Sequence, residues 1–140
     1  MTKSDVRSLR SWFTEYVKTF YSDDADIQAH IRLKEQHTAR VCERMSELSG
    51  ALRLDKEQTA LAETVALFHD VGRFRQYARY RTFNDFRSED HACLGVRILR
   101  ETGVLSQLPQ SEQQLVQKAV RYHNGRDIPD DSAEAVFLAK

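Results

Sequence analysis

Residues 60–72 read ALAETVALFHDVG, and the fold follows from them. Glu63 and Thr64 alone interrupt an apolar run that leads into the doublet His69-Asp70. A helix made of this stretch is apolar nearly all round and belongs in the centre of a domain. Asp55 and Gln58 stand at capping-box spacing and open it, and Gly72 is expected to close it.

Working outward, the flanking segments carry the period of helices rather than strands. Val6, Leu9, Phe13, Tyr16, Val17 and Phe20 recur at three- and four-residue steps, with Trp12 widening the stripe. Asp24 caps a second helix whose apolar side runs Ile27, Ile31, Leu33, Val41, Met45 and Leu48 and which stops at Gly50; His37 lies in its middle. After Gly72, RFRQYARYRTFNDFR (residues 73–87) mixes arginine with aromatic residues and follows neither period, which predicts a long functional loop. Ser88 is the expected cap of a helix carrying Cys93, Leu94, Val96, Ile98 and Leu99, with His91 in its first turn and Gly103 at its end. Ser111 with Gln114 repeats the capping-box signature, and that helix, with Leu115, Val116, Ala119 and Val120, runs to Tyr122 and His123 before Asn124-Gly125 breaks it. A last helix is expected from about Asp131. With no alternating run of useful length, the fold class is all-α, a compact bundle of about six helices.

The chain has 140 residues, the size of one domain. Lysine and arginine total 21 and aspartate and glutamate 21, so no net field holds it on nucleic acid or an anionic membrane, and general polyanion binding is excluded. The N-terminus lacks the basic-then-apolar pattern of a signal peptide, and no stretch reaches the roughly 18 apolar residues of a membrane span. A cytoplasmic protein is expected. Cys42 and Cys93 show no CxxC spacing, which argues for reduced, buried thiols.

His69 and Asp70 end the core helix, where a buried carboxylate is costly unless a cation or several hydrogen bonds compensate it. Neighbouring helical residues point apart, so one ion can serve both only near the helix end. His37 precedes His69 by 32 residues, His91 follows it by 22, and His123 follows His91 by 32, as though each came from its own helix in the manner of bundle metal sites. His30 lies on a more polar stretch and stands outside this set. Imidazole and carboxylate donors suit one or two divalent transition ions (manganese, iron, cobalt, nickel or zinc) better than magnesium.

The ordered set His37, His69-Asp70, His91, His123 is similar to the H…HD…H…H pattern of the HD superfamily of metal-dependent phosphohydrolases, and HDVGR (residues 69–73) resembles its HD-x-G-[KR] motif. The resemblance covers most of the chain. It implies that His37, His69 and Asp70 hold a first ion, that His91 and His123 are the extra ligands of members with two, and that Asp70 bridges. It also implies that Arg73 contacts a phosphate. One departure stands out. The family closes its first site with an aspartate on a later helix, whereas Asp127, Asp130 and Asp131 follow His123 too closely to match. The terminal AEAVFLAK is still apolar-periodic where it stops, so residues 1–140 are expected to form a single HD-like domain lacking its C-terminal helices.

The expected activity is hydrolysis of a phosphoester, such as a nucleotide, by a metal-activated water that Asp70 orients as the catalytic carboxylate, with Arg73 on a small phosphorylated substrate. Two rival readings are a di-iron oxygenase of the same fold and a non-catalytic nucleotide-binding module, the second favoured by the missing aspartate. The apolar first helix leaves a homo-oligomer open.

Overall fold

The computed structural model describes residues 1–123. Among them are six α-helices, α1 (Lys3–Lys18), α2 (Ala25–Ala51), α3 (Lys56–Phe68), α4 (Gly72–Tyr80), α5 (His91–Thr102) and α6 (Gln110–Tyr122), with one 3-10 turn at Asp85–Arg87. No described residue lies in a strand, so the fold is all-α. No described helix is long and apolar enough to cross a membrane. The helix expected near Asp131, and with it Asp127 and Asp130, lies outside the described residues.

α3 is the central helix that its composition demands. Ala60, Ala62, Thr64, Val65, Ala66, Leu67 and Phe68 are buried, and it packs on α1, α2 and α6, while α4 packs on α2 and α5, and α5 on α6. Phe13 of α1 meets Phe68 and Phe74 edge-on, with ring centroids 6.3 and 5.9 Å apart. The Asp55–Gln58 capping box forms at the start of α3, and Asp24 caps α2 through the amides of Asp26 and Ile27.

Six local expectations need correcting. Residues 73–87 are not one irregular loop: their first half forms α4, whose inner face buries Phe74, Gln76 and Tyr77. The arginines hid this period, because Arg75 lies against Glu101 at 2.8 Å and Arg79 near Glu89 at 4.0 Å, paired on the outer side. Gly72 opens α4 rather than merely closing α3, and its reason is close approach. A Cβ there would lie 2.2 Å from the His91 carbonyl oxygen and 2.8 Å from the Gly95 amide nitrogen. The cap of α5 is Asp90, not Ser88: it takes the amides of Ala92 and Cys93, while Ser88 Oγ bonds Gln76 and the Asn84 carbonyl. Pro109 precedes α6 without any side-chain cap, so the Ser111–Gln114 box does not form. In α2, Leu33 is exposed rather than on the apolar side, and the helix runs one residue past Gly50.

Candidate metal centre

The helices bring one end of each of α3, α5 and α6 to the middle of α2. His37 projects from mid-α2; His69 is the C-cap of α3, and His123 the C-cap of α6; His91 is the first residue of α5. Asp70 follows the end of α3, in the turn before α4. Because the chain has left the helix there, the two neighbours His69 and Asp70 converge, with His69 Nε2 3.5 Å from Asp70 Oδ2.

Asp70 is the hub, only 5% exposed, and its two oxygens serve different histidine pairs. Oδ2 lies 3.3 Å from His37 Nε2 and 3.5 Å from His69 Nε2, which are themselves 3.3 Å apart. Oδ1 lies 3.3 Å from both His91 Nε2 and His123 Nε2, which are 3.0 Å apart. Each half therefore forms a triangle of two imidazole nitrogens and one carboxylate oxygen.

The outer nitrogens fix what the inner ones can be. His69 Nδ1 lies 2.7 Å from the Ala66 carbonyl and His123 Nδ1 2.7 Å from the Val120 carbonyl. A carbonyl only accepts, so both Nδ1 atoms carry the proton and donate it. His91 Nδ1 donates in the same way to Asp85, at 2.9 Å from Oδ2 and 3.1 Å from Oδ1. In neutral rings this leaves Nε2 with an outward lone pair, the tautomer that metal ligands adopt. The lone pairs of His69, His91 and His123 then face the two carboxylate oxygens of Asp70, an arrangement that a cation satisfies.

The donor spacing fits such a cation. With bonds of about 2.1 Å, ligands sharing one ion stand roughly 3.0–3.4 Å apart, from octahedral to tetrahedral geometry, and the triangles above have edges of 3.0–3.5 Å. α3 and α6 also turn their negative C-terminal ends toward the centre, which favours positive charge there.

Charge and burial act together on these groups. Burial pushes the Asp70 carboxyl upward, but the His123 and His91 rings, which donate to it when protonated, and the nearby His69 outweigh it and hold the group well below the usual carboxylate range. Burial lowers His69 and His37 from the ordinary imidazole value, with Asp70 opposing in both cases. Both effects keep donors in the forms that bind metal.

Sequence reasoning did not find three neighbours of the centre. Lys34 Nζ is 3.9 Å from Asp70 Oδ2 and 5.1 Å above the Phe83 ring; it stands three residues before His37, a helical spacing that places both on one side of α2. Asp85 reaches His91 from the 3-10 turn, where no periodicity marks it. Gln76 is fully buried in α4 and gives its amide to Asp85 Oδ1 at 2.9 Å. Arg73, expected on substrate, stands in the first turn of α4 with Nη1 close to Gln76 Oε1 at 2.8 Å, the Phe83 carbonyl at 2.7 Å and Asp85 Oδ1 at 3.1 Å. Asp85, Asp90 and His91 also cluster, but Asp90 is spent as the α5 cap and His91 Nδ1 on Asp85. His30 stays outside, bonded to the Asp26 carbonyl and stacked on Tyr77 at 4.5 Å. Cys42 and Cys93 are free thiols, Cys42 buried as expected and Cys93 only partly so.

A family model described as HD domain matches residues 35–140. No curated protein and no solved structure matches the chain. The family match spans His37, His69, Asp70, His91 and His123 and agrees with an all-helical fold that gathers them around one carboxylate; on these grounds the chain belongs to the HD domain family.

Proposed function

We propose that this protein is a metal-dependent phosphohydrolase acting on a small phosphoester, with a nucleotide as the leading substrate class. The observation that carries the reading is the division of Asp70, one oxygen to His37 and His69 and the other to His91 and His123. A carboxylate shared in this way suits two divalent transition ions. When bound, such ions acidify a water to near-neutral pKa and neutralise phosphoryl charge.

The chain's own residues supply the rest. Asp70 is the catalytic carboxylate: ionised and fixed by its four histidine neighbours, it orients the attacking water and is the nearest acceptor for its proton. Lys34 and Arg73 lie on the same side, both near the Phe83 ring, at 5.1 and 5.9 Å. They form a cationic edge for the phosphate, Arg73 as the HD-x-G-[KR] resemblance implies and Lys34 through an ammonium whose nearest anion is Asp70 at 3.9 Å. The mouth lies over His37, the most open of the four histidines, with 39% of its side chain exposed against 3% for His91. Substrate entering there meets Lys34 first.

The test is elemental analysis of the purified protein alongside phosphate release from a panel of nucleotides and simple phosphoesters, with manganese, cobalt or iron added. Turnover that needs the metal, and that falls about 10²–10⁴-fold in Asp70→Asn, supports the reading. Dioxygen consumption by iron-loaded protein without phosphate release would replace it with oxygenase chemistry. Tight nucleotide binding with no turnover by the metal-loaded protein would replace it with a binding module.

A further inference from the structure

Two halves of the centre are equal in ligand type but unequal in support. His69 and His123 lean on main-chain carbonyls of their own helices, and those contacts come with the helix. His91 has no such carbonyl. It opens α5, and its Nδ1 is held only by a side chain from another element, Asp85. Asp85 in turn sits on a short 3-10 turn, which α4 fastens in place. Arg73 Nη1 reaches Asp85 Oδ1 at 3.1 Å, and Gln76 Nε2 reaches the same oxygen at 2.9 Å. Gln76 also bonds Ser88 Oγ at 2.9 Å and lies 3.3 Å from the Glu89 carbonyl, so a fully buried amide staples the segment between the 3-10 turn and α5. A buried polar side chain is retained where its bonds are needed, since each one lost costs its desolvation.

We propose that Asp85 is the positioning residue for the His91–His123 half of the metal centre, and that Arg73 and Gln76 form the clamp that holds it. By accepting the hydrogen bond of the Nδ1–H, Asp85 fixes the tautomer and angle of His91, makes its Nε2 a stronger electron-pair donor, and so sets the affinity for the second ion. Arg73 thereby has a part in building the centre as well as in meeting phosphate. The segment from Phe83 to Glu89 becomes part of the metal site although it contributes no ligand. The inference rests on reading the cluster as a two-ion centre; it does not depend on what the substrate is.

The experiment is a cobalt titration of metal-free protein, followed by visible absorption and calorimetry, with the bound ions counted by elemental analysis. Wild-type protein is expected to bind two ions per chain. Asp85→Ala is expected to weaken one of them about 10–100-fold and leave the other unchanged, and Asp85→Asn, which keeps a neutral acceptor, falls between. Val17→Ala opens a cavity in the buried face of α1, on no residue of the clamp or the centre, and separates a fold effect from a ligand effect: it is expected to lower the melting temperature while leaving the second ion's affinity within about twofold. Two ions of wild-type affinity in Asp85→Ala would overturn the proposal, as would equal weakening in Val17→Ala, or a wild-type protein that binds fewer than two. Two-ion binding with the expected Asp85 effect but no phosphoester turnover would keep this inference and discard the hydrolase.

Discussion

His91 Nε2 and His123 Nε2 lie 3.0 Å apart while both rings spend their Nδ1 protons elsewhere, on Asp85 and on the Val120 carbonyl. Two neutral rings so held turn lone pairs toward each other and toward Asp70, which repels in the absence of a cation. Metal should therefore stabilise the fold by mass action. An ion at about 100 times its dissociation constant contributes roughly 2.7 kcal/mol, or a rise in melting temperature of roughly 8 °C for a domain of this size. Thermal unfolding with chelator, and then with added cobalt or manganese, measures it. An unchanged midpoint would mean that the five side chains bind no ion.

Lys34 and Arg73 share one edge of the centre but differ in what they hold. Lys34 lies beside Asp70 and Phe83 and makes no hydrogen bond or ion pair to the four histidines or to Asp85, whereas Arg73 holds Asp85. Lys34→Ala is expected to keep full metal content and lower kcat/KM about 10–100-fold, the worth of one charge-assisted hydrogen bond. Arg73→Ala is expected to lower turnover and weaken one of two ions together. Metal content and steady-state kinetics on the same preparations decide it; identical profiles for the two variants would contradict the division of roles.

The core helix, its Asp55 cap, the Asp24 cap of α2 and the all-α class were legible because each depends on neighbours in sequence. The convergence of His37, His69, Asp70, His91 and His123 was legible from a motif and an ordered spacing. Asp85 was not, because a contact to His91 made from a 3-10 turn has no period to announce it. α4 was misread for a related reason: Arg75 and Arg79 pair on its outer side with Glu101 and Glu89, and such pairs are invisible to a window of local sequence. The six helices among the described residues are not the six that were expected, since α4 was not foreseen and the helix near Asp131 lies outside the described residues. Gly72 shows the same limit. Its role as a terminator could be guessed locally, but its contact with the backbone of α5 could not.

Gly72→Ala tests that contact. The added methyl would meet two backbone atoms, the His91 carbonyl oxygen at 2.2 Å and the Gly95 amide nitrogen at 2.8 Å, so relief requires α4 and α5 to separate. A destabilisation of about 3 kcal/mol or more is expected in urea unfolding. Gly95→Ala is the control, because its new methyl meets side-chain atoms of Val120 and Val71 at 3.3 and 3.4 Å and then the Gly72 amide at 3.5 Å, and about 1 kcal/mol is expected. Equal costs would show that the α4–α5 approach tolerates a side chain.

Acid should destabilise the metal-free protein in two stages. Burial lowers His69 below the ordinary imidazole value of 6.5, against the pull of Asp70, and His37 shifts the same way. The unfolded chain then takes up protons first as pH falls through 6.5, and stability declines from there down to the folded-state values. Asp70 has the opposite chemistry but the same sign. Held below its ordinary 3.8 in the fold, it stabilises above that value and loses its contribution only on further acidification. Urea midpoints of chelated protein from about pH 7.5 to about pH 3 should thus fall first near and below 6.5 and again below about 4. Metal-loaded protein should show a steeper first decline, because protons also displace the ion from its imidazoles. A flat profile between about pH 7.5 and about pH 5 would show that His69 titrates as a solvated histidine, and the closed geometry around Asp70 would then not describe the metal-free protein in solution.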